Sequence, residues 1–544
     1  MATHMQQTPF NLVECIEFAG SYYGDQRVIT RRVEDDSIHI STYSEILERV
    51  YQFANALKKL GAEFGDRIAT IALNTDRHLE AWYGISGQGM ICHTVNPRLS
   101  PTQLIYIINH AEDKFVIIDP IFWPIVEKMH QHFPKVKGYI VLTEEKFMPK
   151  TEVPNVYCYE TLLEGEPRSF DWPSFDENHG SSLCYTSGTT GDPKGVMYSH
   201  KSNRLHSYAV ATPSAFGCGP ETTILVVVPL FHANSWGIAY AGPMTGATLL
   251  MPGKAMDGGS IYELISDFNA TVAAGVPTVW TGLLDYTEKN NLKMESVKEV
   301  VVGGSAAPMS MLKAFREKHD IELLHAWGMT EMSPLGTLNR PIPQINDLPK
   351  EEYYKYRIKQ GRPVFGVNLK IVDEDGNVQP RDGESAGHLL VKGNWIVHTY
   401  FGADKPAVDE DGWFDTGDMA TLDQYGYMEI VDRSKDLIKS GGEWISSVDM
   451  ENKAMGHPEV LMAAAIAIPD EKWSERPLLI VVPKEGKTPS VESIKEVLAE
   501  DFAKWQLPDD IIFVKEIPLT ATGKFSKLTL RKQYKDYKSA SAGE

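Results

Sequence analysis

Between two apolar stretches, residues 185–195 read Tyr185, Thr186, Ser187, Gly188, Thr189, Thr190, Gly191, Asp192, Pro193, Lys194, Gly195. The lead-in Ser182-Leu183-Cys184 has the character of a strand end. Three glycines inside this run permit a tight turn that carries backbone N–H groups close to an anion. Thr186, Ser187, Thr189 and Thr190 add hydroxyl donors, Lys194 adds a full charge, and Pro193 stiffens the exit. A strand running into such a loop suits a polyphosphate. It is not the common Gly-x-x-x-x-Gly-Lys-[Ser/Thr] loop, because no Gly-Lys pair falls at the required spacing. On the residues alone a flexible Gly/Ser/Thr surface loop stays open as the other reading.

The chain around this loop alternates helix and strand. Thr42 and Glu45 form a capping box, and Ile46, Val50, Phe53, Leu57 and Leu60 follow at helical spacing until Gly61. Residues 67–73 and 115–119 read as buried strands, with a helical stretch around Leu79 to Tyr83. This alternation predicts an α/β fold with layered, largely parallel sheets. At 544 residues the chain exceeds one ordinary core, so two or more domains are expected.

Charge and cysteine usage exclude several classes. A net charge of −20 opposes general nucleic-acid binding and attachment to an anionic membrane. No apolar run approaches the ~18 residues that cross a bilayer. The five cysteines are scattered and odd in number, without the pairing of a zinc site or a disulfide framework. With no secretory pattern at the N-terminus, the cytoplasm is the expected compartment.

Further along, the apolar strand at residues 224–228 ends at Pro229-Leu230-Phe231-His232-Ala233-Asn234-Ser235-Trp236-Gly237. Ligands of open α/β sheets gather at the carboxyl ends of strands, which places His232 and Trp236 well for a pocket. Val300-Val301-Val302 runs likewise into Gly303-Gly304-Ser305-Ala306-Ala307-Pro308, whose small residues let a flat ring approach the backbone. There follow His325-Ala326-Trp327-Gly328-Met329-Thr330-Glu331, then Gly412 to Asp418, then Asp432-Arg433-Ser434-Lys435. In the β-rich stretch between, Val367 to Val372 alternates and residues 373–377 read as a hairpin turn. Near the end lie Lys439-Ser440-Gly441-Gly442-Glu443-Trp444, a helix over about 491–502, and Pro518-Leu519-Thr520-Ala521-Thr522-Gly523-Lys524. Lys527, Arg531, Lys532, Lys535 and Lys538 form a basic tail, read as a solvated helix face, with contact to a ligand phosphate as the sharper alternative.

These segments, in this order from about Thr42 to Lys524, resemble the signatures of the adenylate-forming superfamily, which includes acyl-CoA synthetases, luciferases and peptide-synthetase adenylation domains. The resemblance implies a large N-terminal domain, residues 1–433, with a β-rich subdomain. It further implies a small mobile α+β lid, residues 434–544, hinged near Lys435. It makes ATP, Mg²⁺ and coenzyme A the expected cofactors and a small carboxylic acid the substrate. Residues 186–190 with Lys194 would hold phosphates, residues 305–308 and 325–329 adenine, Asp418 the ribose, and Arg433 the ribose or α-phosphate. Trp327 stands where Tyr is more usual and keeps a stacking plane. Thr330 would contact phosphates, and Glu331 with Thr186 would hold Mg²⁺. His232 would gate the acyl site, whose wall is expected from Ala233, Asn234, Trp236, Val276, Pro277, Gly303, Gly304, Ser333 and Pro334. Lys439, Gly441, Gly442, Glu443 and Trp444 would line the pantetheine tunnel, and Lys524 would be catalytic.

His232 occupies a position where amino-acid-activating relatives commonly carry Asp, which disfavours an amine substrate. In overall pattern the chain is most similar to medium-chain fatty acyl-CoA synthetases and bacterial 3-methylmercaptopropionate–CoA ligases, and 3-(methylthio)propanoate is the favoured acid. A luciferase-like or stand-alone carrier-loading enzyme shares the adenylation motifs. Dimerisation is common in such enzymes, so a homodimer is a further expectation.

Overall fold

A computed structural model describes residues 5–186, 192–433, 435–440, 443–470, 473–520, 524–535 and 537. The helix Tyr43–Lys59 begins as its sequence requires. Thr42 accepts from the Glu45 N–H while the Glu45 carboxylate accepts from the Thr42 N–H, and Ile46, Val50, Phe53 and Leu57 are buried. Lys58 and Lys59 sit in its last turn, where the helix dipole favours cations.

Two parallel sheets form the bulk of the molecule. One runs, in spatial order, Val156–Cys158, Gly138–Val141, Phe115–Ile118, Arg67–Ile71, Ile91–Thr94, Gly180–Tyr185, Gly195–Ser199. Its pairs are parallel except the last, where Gly195–Ser199 returns antiparallel to Gly180–Tyr185. That return sets Tyr185 opposite Gly195, the two ends of the phosphate-loop candidate. The second sheet is parallel from Glu322–Gly328 through Glu299–Val302, Val272–Gly275, Thr223–Val226 and Thr248–Met251 to Arg27–Arg31. Antiparallel strands flank it at both edges. Strands such as Val272–Gly275 are buried along their whole length, as sheets covered by helices on both faces demand.

A four-stranded antiparallel sheet follows, Val367–Val372, Gly387–Gly393, Phe414–Leu422 and Met428–Arg433. The expected turn after Val372 does form, with Asn377 donating to Asp373 and a bridge between Val372 and Val378. It returns the chain in a short hairpin, the Gln379 N–H donating to Ile371 O at 2.9 Å, while the long ladder of Val367–Val372 is made with Gly387–Gly393. Pro380, which has no N–H to give, follows directly and stops the local return. The C-terminal sheet orders Glu443–Ile445, Ile438–Ser440, Ser474–Pro483 and Val460–Asp470, with Asp510–Phe513 parallel to Ser474–Pro483. Its helix spans Val491–Leu498, shorter than expected. Among the described residues no helix is long and apolar enough to cross a membrane. All five cysteines are free.

Candidate active site

The carboxyl ends of four adjacent strands of the second sheet open onto one cavity of about 1590 Å³. Residues 303–306, 325–331, His232, Ala233, Trp236, Pro277 and Pro334 line it, together with Thr186 and Lys194 from the first sheet. Asp418 and Arg433 close it from the β-rich side with Lys435 just beyond them in the chain, and Lys524 enters from the segment between the strand Asp510–Phe513 and the helix Lys527–Gln533.

The segment from His232 to Gly237 has a conformation that the sequence does not announce. Ala233, Asn234, Ser235 and Trp236 all have positive φ, between 42° and 54°. Each left-handed non-glycine residue costs roughly 1–2 kcal/mol, so the turn needs external support. Ser235 Oγ donates to Val228 O at 2.9 Å, and Asn234 Nδ2 donates to Asn203 Oδ1 at 3.1 Å. Beneath them Asn74 donates to Val226 O and Val228 O and accepts from the Leu230 N–H. The turn aims Trp236 across Gly303, where an added Cβ would lie 2.9 Å from the indole. Glycine is therefore required at 303, and the indole closes that end of the cavity.

Asn234 lies behind the wall in this polar network, and Ser333, whose Oγ donates to Trp395 O at 3.0 Å, is buried likewise. Val276 stands behind Gly304, and Ala307 belongs to the core. Four residues expected at the surface of the site thus support it from beneath, a distinction that strand-end spacing does not resolve.

At the opposite end Trp327 Nε1 donates to Asp418 Oδ2 at 3.0 Å, and Arg433 Nε stands 3.5 Å from Asp418 Oδ1. Burial pushes the Asp418 carboxyl upward and Arg433 opposes that shift. The Trp327 ring packs on Gly336, where a Cβ would come within 2.7 Å.

On the phosphate side the Thr186 N–H donates to Lys194 O at 2.9 Å, closing the neck of the loop. Ser187, Gly188, Thr189 and Thr190 lie outside the described residues. Lys194 Nζ lies 4.8 Å from the centre of the Tyr400 ring, and Tyr400 OH donates to Glu331 Oε1 at 2.8 Å. The Tyr198 hydroxyl donates to Thr330 O at 2.5 Å. Tyr400 and Tyr198 were not singled out in the sequence, because neither sits in a glycine-rich or charged run. Among the described residues no group of three or more His, Cys, Asp or Glu could hold a metal. Glu331 places a carboxylate on this side of the cavity, which Asp192 also lines. That suits Mg²⁺, which keeps several waters and binds through one or two carboxylates plus phosphate oxygens.

Lys524 is anchored at its base by Thr520, whose N–H donates to Lys524 O at 2.6 Å and whose Oγ1 accepts from the Lys524 N–H at 3.1 Å. Its stem passes the glycine loop, with Cε 3.8 Å from where a Gly304 Cβ would stand. Burial lowers its pKa to about 8, with Arg433 adding to the fall while Asp418 and Glu331 oppose it. His232 is pushed down to about 4 by burial and then by Lys524, so it is neutral near pH 7. Lys439 Nζ and the Trp444 ring, 5.1 Å apart, lie outside the cavity; Gly441, Gly442 and the Glu443 side chain are not described.

A cavity at the strand ends of a layered α/β body, walled by small-residue loops and entered by a lysine from the C-terminal region, suits a nucleotide-using enzyme. The chain belongs to the AMP-binding enzyme family: the model of that description matches residues 18–401, and that of its C-terminal domain matches residues 449–524. It is 46% identical to the 3-methylmercaptopropionyl-CoA ligase of Ruegeria lacuscaerulensis, over 98% of this chain and 99% of that protein. It is 45% identical to the medium-chain-fatty-acid–CoA ligase of Ectopseudomonas oleovorans, over 98% of each. Among solved structures, the anthranilate CoA ligase AuaEII in complex with anthranoyl-AMP superposes with a TM-score of 0.87 at 25% identity, covering 98% of this chain and 99% of that one.

Proposed function

We propose that this chain is an AMP-forming acid:CoA ligase. A carboxylate oxygen attacks the α-phosphorus of ATP, pyrophosphate leaves, and an acyl adenylate forms. The thiol of coenzyme A then attacks the acyl carbonyl, its proton is lost, and AMP departs with the former carboxylate oxygen. What supports the reading is the meeting in one cavity of Lys524, Glu331, Asp418 and Arg433, with an apolar end closed by Trp236.

Asp418 presents carboxylate oxygens to the ribose diol, and residues 303–306 and Trp327 enclose adenine. The Lys524 ammonium, Arg433, Lys194 and the Thr330 hydroxyl face the charge that develops on the phosphoryl oxygens. Glu331, with Thr186 beside it, would hold Mg²⁺, which when bound would supply further neutralisation of the triphosphate. Tyr400 fixes the Glu331 carboxylate and supports Lys194 through one ring. The division of labour follows the chain: residues 1–433 carry both substrate sites, and residues 434–544 act as a lid pivoting near Lys435. Rotation of the lid withdraws Lys524 and brings residues 439–444 to the site as the pantetheine channel. Free cysteines and the absence of a disulfide framework suit a cytoplasmic enzyme.

The acid is a short monocarboxylate, and 3-(methylthio)propanoate is the favoured one. The Trp236 indole on Gly303 limits the length of the apolar end, and relatives at 46% and 43% identity are named for that substrate. Medium-chain fatty acids form the second reading, because a relative at 45% identity is named for them. A pyrophosphate-release assay across C2–C12 acids and 3-(methylthio)propanoate separates the two. The highest kcat/KM is expected for the thioether acid and its near-isosteres; a maximum at C8 or beyond transfers the assignment to fatty acids.

The lowered pKa of Lys524 gives a pH signature. Protonated lysine is the working form, and in the free enzyme it is lost as pH rises through about 8. A bound polyphosphate favours the charged form and raises that value. The profile of kcat/KM for ATP should therefore bend downward near pH 8, with kcat bending at higher pH. A flat profile to pH 9.5 contradicts this role for Lys524.

A further inference from the structure

Lys527 follows Lys524 by three residues and begins the helix Lys527–Gln533. Neither reading of the basic tail describes it. Its ammonium lies 2.8 Å from Glu451 Oε1 and donates to Ser447 Oγ at 2.5 Å, with the two charged side chains only 11% and 8% exposed. It is neither a solvated charge nor free for a phosphate. Arg531 is also committed, donating to Asp436 Oδ1 at 2.7 Å.

Ser447 passes this charge on. Its hydroxyl accepts from Lys527 and donates to Asp432 Oδ2 at 2.6 Å, while its N–H donates to the same oxygen at 2.7 Å. The other Asp432 oxygen accepts from the Arg433 N–H at 2.7 Å, and the residue is 1% exposed. One position earlier, at the N-cap of the helix Ser447–Met455, Ser446 Oγ donates to Val431 O at 2.6 Å. Among the described residues, the side chains that match this buried carboxylate are thus a serine and, through it, a lysine, both beyond Lys435 in the chain. Glu451, Ser447 and Lys527 travel together on the lid; Asp432 belongs to the strand Met428–Arg433 of the body. Rotation about Lys435 leaves the Lys527–Glu451 pair intact and removes both partners from Asp432.

We propose that Asp432 is a positioning residue for the adenylation step: through Ser447 and Lys527 it docks the lid so that Lys524 stands in the nucleotide cavity. This rests on the two-state lid of the proposed function. The connection is short at both ends, since Arg433 beside Asp432 faces Asp418, and Lys524 is three residues from Lys527. Breaking the dock forfeits the charge-assisted hydrogen bonds to Asp432, which biases the resting lid toward the adenylating arrangement. The bias also opposes the second half-reaction, so the dock sets how the lid divides its time between the two.

Asp432→Asn isolates the charge, because an amide oxygen still accepts from Ser447. Exchanging a charge-assisted contact for a neutral one is expected to slow the acid-dependent ATP–pyrophosphate exchange about tenfold. The rate of thioester formation from supplied acyl adenylate should fall far less, or rise, so the ratio of the two rates shifts by about that factor. Tryptic cleavage after Arg433 and Lys435 should quicken severalfold at an unchanged melting temperature, and Lys527→Gln should act in the same direction. Asp432→Glu, which keeps the charge, should restore part of the ratio. Equal loss of both half-reactions together with a lowered melting temperature makes Asp432 merely structural and overturns the proposal; so does unchanged cleavage. If the wild-type chain exchanges pyrophosphate with no acid, the adenylation reading fails. The cleavage comparison then still decides whether Asp432 docks the lid.

Discussion

Lys524→Ala should lower acid-dependent ATP–pyrophosphate exchange by about two to three orders of magnitude, the usual cost of one well-aimed donor to a developing oxyanion. The ammonium reaches the cavity past Gly304, and its charge there is costly, as the fall of its pKa to about 8 records. That cost is recovered only when phosphates arrive, so the group contributes more to the transition state than to the free enzyme. Thioester formation from pre-made acyl adenylate should stay within about threefold of wild type, because the lid has withdrawn Lys524 by then. Rapid-quench measurement of each half-reaction makes the comparison. A loss of equal size in both means that Lys524 holds structure and has no separate role in the first step.

Lys435→Pro should give the converse. Proline fixes φ near −65° and blocks the dihedral change that a pivot needs. Pyrophosphate exchange should persist, because the described arrangement already has Lys524 at the nucleotide cavity. Thioester formation should fall by about a hundredfold or more if rotation is obligatory for entry of the thiol. The two variants together form a test by opposition: each spares the half-reaction that the other loses. If Lys435→Pro turns over both steps normally, the lid does not pivot there.

Local signals were readable wherever one segment carries its own physics. Thr42 and Glu45 cap a helix by contacts three residues apart, and the structure repeats that box atom for atom. The glycine-rich ends of strands announced a close approach, and Gly303 is small because the Trp236 indole leaves no room for a Cβ. What stayed hidden depends on partners far away in the chain. Tyr400 supports Glu331 from 69 positions off, and nothing in its own neighbourhood marks it. Lys527 reads as one more charge on a basic helix until Ser447 and Glu451, about 80 positions earlier, fold over it. The left-handed run from Ala233 to Trp236 is likewise illegible locally. No glycine stands within those four residues to suggest it, and the support comes from Asn203, Asn74 and the strand end at Val228. The hairpin turn read at residues 373–377 is local and does form, but the longer partner of Val367–Val372, the strand Gly387–Gly393 beyond Pro380, gave no local signal.

The account turns on a carboxylate oxygen attacking the α-phosphorus. A carboxylic acid labelled with ¹⁸O in both oxygens, ligated to coenzyme A with ATP, reports that event directly by mass spectrometry of the products. One ¹⁸O in AMP, and none in pyrophosphate, is the result predicted. Label in orthophosphate with ADP as the second product would mean attack at the γ-phosphorus and would contradict it.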